Sequence, residues 1–264
     1  MNIGCIGTGN MGRAIITGLS KKYNKEQLKC YDSNSDQLSL VEAVAECIDF
    51  PEKVLSESDI VIFAVKPDVL IDLLSKLKPV IKPETVIVSI AAGITISQIE
   101  EAAGQNKKII RIMPNTPAMV LQAVSVLSPN GNVSDQELAS VNEMFSSIGK
   151  TLVLKESMLD TVTAISGCGP AYMFTIIQAI ADAGVENGLS RKDSVLLAAQ
   201  TMKGAAEMIM ALESEPYTLR NMVASPGGST IAALHVIDRS GLSGILMDAV
   251  NKAKEVSSSL GKKK

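Results

Sequence analysis

Ile3-Gly4-Cys5-Ile6-Gly7-Thr8-Gly9-Asn10-Met11-Gly12 decides the fold of this 264-residue chain. A short apolar run enters Gly7-x-Gly9-x-x-Gly12, and a helical pattern carrying Ile15, Ile16 and Leu19 leaves it. The glycines therefore sit where a strand turns into a helix, the arrangement that binds dinucleotides. Gly7 permits the tight turn, Gly9 lets the backbone approach a pyrophosphate, and Gly12 lets the helix pack closely on the sheet. The helix N-terminus adds unpaired N–H groups for the anion. A glycine turn with no ligand is the competing reading; the strand before it and the helix after it favour the cofactor.

Outward from this loop, Leu28-Lys29-Cys30-Tyr31-Asp32 reads as a second strand, with Asp32 twenty residues beyond Gly12. An acidic side chain there can accept hydrogen bonds from the adenosine ribose, as an NAD site requires. Ser33 and Asn34 are short polar residues that can also hold a 2′-phosphate, and Asp32 can instead end the strand or cap the next helix, so cofactor preference stays open. Ile60 to Val65, Thr85 to Ile90 and Lys108 to Ile112 are apolar runs suited to parallel strands buried on both faces. Each ends in small residues or prolines: Ala64-Val65-Lys66-Pro67, Ala91-Ala92-Gly93, and Met113-Pro114-Asn115-Thr116-Pro117. Ligands of open α/β sheets bind at that carboxyl edge. Lys66 and Asn115 are candidate cofactor contacts, against a solvent-facing lysine and a turn asparagine. Ala123 to Leu127, a helix from about Ser134 to Ser147 and Thr151 to Leu154 complete the sheet domain.

The expected organisation is an α/β Rossmann-like dinucleotide-binding domain at 1–155 and an all-α domain for dimerisation and substrate binding at 156–264. From Ser157 the strand pattern disappears. Pro170 starts a long helix ending near Gly188, Ser190 with Asp193 caps the next, to about Leu212, and Pro216 opens a shorter one. The helix Ala171 to Ile180 is apolar around most of its circumference. It needs partners on several sides, which implies an intimate homodimer unless it is central in its own domain. Ser225-Pro226-Gly227-Gly228-Ser229-Thr230 precedes another helix. Its N–H groups and hydroxyls suit a small carboxylate, with a plain helix–turn–helix corner as the alternative.

Twenty-five basic against 28 acidic residues, a net charge of −3, give no strong pull toward nucleic acid or anionic membranes. Lys262-Lys263-Lys264 reads as a solvated tail. No signal segment and no membrane-spanning run is read from the sequence, so a cytoplasmic location is expected. Cys5, Cys30, Cys47 and Cys168 have no paired spacing and there is one histidine, so no metal site is expected and buried free thiols are.

Taken together and in order, Gly-x-Gly-x-Met-Gly, Ala64-Val65-Lys66-Pro67, Met113-Pro114-Asn115-Thr116-Pro117, Ser166-Gly167-Cys168-Gly169-Pro170-Ala171-Tyr172 and Ser225 to Thr230 resemble Δ1-pyrroline-5-carboxylate reductase across essentially the whole chain. The resemblance implies the last step of proline biosynthesis, hydride transfer from NADPH or NADH to the cyclic imine to give L-proline. It implies a cofactor held by Ile6, Gly7, Thr8, Gly9, Asn10, Met11, Gly12, Asn34, Ala64, Val65, Lys66, Pro67, Ile90, Ala91 and Ala92, beside the Asp32 and Asn115 read above. It places the substrate carboxylate on the backbone of Gly227, Gly228, Ser229 and Thr230. Thr230 is set against the ring nitrogen, and Thr163, Glu213 and Ser225 line the proline pocket; Thr230 and Ser225 are the candidate catalytic residues. A helix-swapped homodimer, assembling further into a decamer, is also implied. The chain departs from the pattern at Pro51, where some members carry an asparagine, at Asp32, where several carry a small or neutral residue, and at Cys168, commonly serine.

The residues fit imine chemistry independently. Reducing a ketone creates an alkoxide and calls for a nearby lysine or histidine as proton donor. Between Glu156 and Ser190 there is no lysine, arginine or histidine, and His235 is expected as a packed helical residue. A protonated cyclic imine accepts hydride without an enzyme acid, so positioning suffices. The rival readings are a hydroxy-acid dehydrogenase, disfavoured by that missing base, and a nicotinamide-binding regulatory protein without turnover.

Overall fold

A computed structural model describes residues 1–260; the lysine tail at 262–264 lies outside the described residues. The elements run β1 (Ile3–Ile6), α1 (Asn10–Leu19), β2 (Leu28–Tyr31), α2 (Ser35–Ser39), β3 (Glu46–Cys47), α3 (Pro51–Glu57), β4 (Ile60–Phe63), α4 (Pro67–Leu77), β5 (Val86–Ser89), α5 (Ile96–Ala103), β6 (Lys108–Met113), β7 (Ala123–Pro129), α6 (Asp135–Ser146) and β8 (Gly149–Val153). Only helices follow among the described residues: α7 (Leu159–Val162), α8 (Gly169–Glu186), α9 (Arg191–Leu212), α10 (Pro216–Met222), α11 (Ser229–Arg239) and α12 (Leu242–Leu260). The described chain divides into two compact units. The first comprises Met1–Gly167 together with the chain from Ala253 onward, and the second Cys168–Lys252.

The first unit is built on one eight-stranded sheet of order β3-β2-β1-β4-β5-β6-β7-β8. Strands β1 to β6 are parallel, β7 runs antiparallel to β6, and β8 is parallel to β7. The order reverses between β1 and β4, which opens the crevice where open α/β sheets receive ligands. Every residue of β1, β4 and β5 is buried, as expected of strands covered by helices on both sides. Ile15, Ile16, Leu19 and Phe145 cover one face, and Leu55, Leu70, Leu74 and Ile99 the other.

One polar pair crosses this apolar frame. Arg111 of β6 is 7% exposed, and its Nη1 donates to Glu156 Oε1 at 2.9 Å. The same oxygen accepts the N–H of Ile96, the first residue of α5, at 2.7 Å. Replacing Glu156 by alanine strands a buried guanidinium and a helix-end N–H together. Allowing for the partial exposure of Glu156, we expect Glu156→Ala to destabilise the first unit by about 2 kcal/mol in urea unfolding. A midpoint within error of the unmodified chain would show that water replaces the pair at no cost.

Of the four thiols, Cys5 and Cys30 are buried, Cys168 is half-buried and Cys47 is exposed, so burial does not account for all of them. Cys5 and Cys30 stand side by side in the β1–β2 register. A hydrogen bond with Cys5, and then burial, hold the Cys30 thiol far above its ordinary pKa, so it is not a nucleophile.

The second unit is helical. Pro170 occupies the first turn of α8, and Ser190 caps α9 by accepting the Asp193 N–H at 3.1 Å. Within the single chain α8 buries only Gly169 and Ala181, and Phe174 stays 66% exposed. The alternative of a helix central in its own domain is therefore set aside. The stretches Glu156–Glu186 and Arg191–Leu212 are also long and apolar enough to cross a membrane by length and composition, with mean hydropathy 1.3. That corrects the expectation of no such run: small apolar residues spread over many turns raise the average without forming one unbroken apolar block.

Candidate active site

The glycine loop is pinned between two strand ends. Gly7 N–H donates to Tyr31 O and Ala64 N–H to Ile6 O, both at 2.8 Å. Gly7 has φ +99°, and a Cβ there would stand 2.6 Å from the Ala64 carbonyl oxygen, so conformation and space both demand glycine. At Gly12 a Cβ would overlap the Gly7 carbonyl oxygen, with Ala64 Cβ 3.2 Å away. This glycine lets the helix close on the loop itself, a tighter requirement than packing on the sheet. Gly9 is different: nothing lies within 4 Å of where its Cβ would be. Gly9 is also the N-cap of α1 and supplies no side-chain cap. The N–H groups of Asn10, Met11 and Gly12 then have no partner inside the helix. Open space over Gly9 beside an uncapped helix N-terminus fits a pyrophosphate.

Asp32 meets this loop from the end of β2. Its Oδ2 accepts the Thr8 N–H at 2.6 Å and the Thr8 hydroxyl at 3.2 Å, while Oδ1 accepts the Asn34 N–H at 2.9 Å. Asn34 in turn caps α2, its Oδ1 accepting the Asp36 N–H at 2.9 Å. The carboxylate thus ties the loop to the start of the next helix, and Oδ1, with one bond accepted against two at Oδ2, keeps lone-pair capacity for a ribose hydroxyl. Along the same edge, Ala64 and Val65 follow β4, Lys66 is the exposed N-cap residue of α4, and Pro67 is its first residue. Ile90, Ala91 and Ala92 follow β5; Ile90 N–H donates to Phe63 O at 3.3 Å, Ala91 is buried and Ala92 is exposed. Asn115 is 9% exposed and already engaged. Its Oδ1 accepts the Val124 N–H at 3.0 Å and its Nδ2 donates to Ser166 O at 3.1 Å, leaving one N–H for any further contact. Thr163, also in the first unit, begins a π-helical stretch, and its hydroxyl donates to Leu159 O at 2.8 Å.

The other candidate substrate residues lie in the second unit. Gly228 is the N-cap of α11 and supplies no side-chain cap, so the N–H groups of Ser229, Thr230 and Ile231 are free of intrahelical bonds. Gly227 has φ +72°, and Gly228 N–H donates to Ser225 O at 3.0 Å, so the turn folds back on Ser225. A Cβ on Gly228 would overlap Ser225 Oγ, which places that hydroxyl against the turn. Glu213 ends α9 with φ +49°, a conformation non-glycine residues seldom adopt. His235 is exposed on α11 and is not packed within the single chain, contrary to expectation.

The chain as a whole resembles characterised proteins. Residues 156–260 match the family profile described as pyrroline-5-carboxylate reductase dimerisation. Residues 2–93 match one described as NADP oxidoreductase, coenzyme F420-dependent. The pyrroline-5-carboxylate reductase of Methanosarcina acetivorans is 38% identical over 99% of this chain and 98% of its own length. That of Escherichia coli is 37% identical over 98% of each. A crystal structure of Plasmodium falciparum pyrroline carboxylate reductase with NADP bound superposes with a TM-score of 0.89 at 34% identity, covering 99% of this chain and 98% of the other. With this identity sustained from end to end, and with a glycine loop and sheet edge that fit a dinucleotide, the chain belongs to the pyrroline-5-carboxylate reductase family.

Proposed function

We propose that this chain reduces Δ1-pyrroline-5-carboxylate to L-proline with NADPH or NADH, the last step of proline biosynthesis. The observation that carries the substrate assignment is the uncapped N-terminus of α11 behind the Gly227–Gly228 turn. Its free N–H groups bind the carboxylate of the imine without a cationic side chain. The Thr230 hydroxyl holds the ring nitrogen and Ser225 braces the turn, with Thr163 and Glu213 as further candidate substrate contacts. The bound nicotinamide supplies the hydride. Because the ring nitrogen arrives protonated, these residues need only orient the iminium carbon and exclude water.

The cofactor lies over Gly7 to Gly12, with its adenosine ribose at Asp32 and Asn34 and its nicotinamide half along Ala64 to Pro67 and Ile90 to Ala92. Asn115 contacts the cofactor with the one side-chain N–H that its bonds to Val124 and Ser166 leave over. Asp32 sets a negative charge where a 2′-phosphate would come. Asp32→Ser keeps a short acceptor and removes the charge, and should move the kcat/KM ratio about tenfold toward NADPH. An unchanged ratio would show that Asp32 serves only the loop.

The apolar faces of α8 and α9 are covered by a second copy in a homodimer, and five dimers build a decamer, in a soluble cytoplasmic enzyme. Sedimentation separates these states from the 27.9 kDa chain. The reaction is tested by loss of NADPH or NADH absorbance on adding the imine, with proline identified as product. Turnover with the imine and none with 2-oxo acids supports the reading. Cofactor binding without turnover overturns it.

A further inference from the structure

The chain leaves its first compact unit through a helix that is not regular. At Thr163 α7 passes into a five-residue π-helical stretch, Thr163–Gly167. Single π turns of this kind break the helical ladder and gather at functional sites. Local hydroxyls support the irregularity: Thr163 Oγ1 donates to Leu159 O, and Ser166 Oγ donates to Val162 O at 2.9 Å.

Two further anchors come from distant parts of the chain. Asp160 Oδ1 accepts from Ser257 Oγ at 2.8 Å, and its Oδ2 accepts from Ser258 Oγ at 2.9 Å, across 97 and 98 residues. On the other side Asn115 bridges Val124 N–H and Ser166 O. Ser257 is 8% exposed, so the clamp lies inside the first unit. Adjacent residues on a helix point about 100° apart. One carboxylate reaches both serines only when it straddles the last turns of α12, so the pair of bonds restricts orientation as well as distance. Asp160 and Thr163 are three residues apart, neighbours across one helical turn. Whatever fixes Asp160 therefore fixes the start of the π stretch.

We propose that Asp160, Ser257 and Ser258 are positioning residues: the end of α12 clamps α7 and thereby orients the Thr163 side chain as a substrate contact. This rests on the reading above that Thr163 faces the imine. The clamp acts through Thr163 and touches neither substrate nor cofactor. Its loss should therefore move the KM for the imine apart from the KM for NADPH.

The test uses the full chain with Asp160→Ala and with Ser257→Ala/Ser258→Ala. We expect the imine KM to rise about fivefold with the NADPH KM little changed, while the melting temperature falls by a few degrees as buried clamp groups lose their partners. Ser257→Thr/Ser258→Thr, which keeps both hydroxyls, should restore the original KM. Asp160→Ala added to Thr163→Ala should bring no further rise, since both act on one contact. If Asp160→Ala does not fold, Ser258→Ala alone carries the same comparison. Equal shifts of both KM values, or a lower melting temperature with an unchanged imine KM, would reduce the clamp to a stabilising contact and overturn the proposal. So would a neutral Thr163→Ala in a chain that does reduce the imine. Failure of the unmodified chain to oxidise NADPH with the imine would instead overturn the functional reading itself.

Discussion

Gly12→Ala is expected to damage both the fold and the cofactor site, whereas Gly9→Ala damages only the site. At Gly12 the added methyl would overlap the Gly7 carbonyl oxygen, a backbone atom that cannot rotate away. Either the helix tilts off the loop or the loop opens, and the overpacking costs about 3 kcal/mol. A moved loop also disperses the N–H groups of the first turn of α1. NADPH affinity should therefore fall by about 100-fold or more, roughly 2.7 kcal/mol. At Gly9 nothing lies within 4 Å of the added methyl, so the melting temperature should stay where it is. On the proposed reading the methyl would fill the space a pyrophosphate needs, and affinity should fall about tenfold. Thermal melts and cofactor titration on the two variants give a two-by-two answer. A Gly9→Ala chain that binds NADPH as the unmodified chain does would move the pyrophosphate away from this loop.

Thr230→Ala should lower kcat about 100-fold while leaving NADPH affinity unchanged. Thr230 is the second residue of α11, so its N–H has no acceptor inside the helix. On the proposed reading the hydroxyl would bond the ring nitrogen as its positive charge is lost on hydride addition, and loss of one such group costs roughly 10²-fold or more in turnover. Thr230→Ser keeps the hydroxyl and should retain most of the activity. A turnover number unchanged in Thr230→Ala would remove this hydroxyl from the reaction and leave only the backbone N–H groups of the first turn of α11 as the substrate site.

The elements nearest the glycine loop were readable because their signals are short-ranged. Ile60 to Phe63 and Val86 to Ser89 are continuous apolar runs, and Pro67, Pro170 and Pro216 mark helix starts where a missing N–H does no harm. The edge strand Glu46–Cys47 escaped because two residues carry no periodicity. The π stretch at Thr163–Gly167 escaped because no residue type demands it. Asp160 is one of three charged residues in 157–190, and that scarcity was a signal, but its partners lie almost a hundred residues away.

The residues by themselves determined the strand–glycine–helix turn, the parallel sheet that follows it, the change to helices after Ser157, and the two helix ends suited to anions. All of these follow from backbone chemistry within a few neighbours: glycine at positive φ, proline without an N–H, apolar side chains at a fixed period. Only the tertiary structure decided that Asp32 holds Thr8 and Asn34, that Glu156 pairs with Arg111, and that Ser257 and Ser258 hold Asp160. A carboxylate on its own specifies no particular donor. Its partner is whichever donor the folded sheet and helices bring within about 3 Å, and that distance does not exist until the chain has folded.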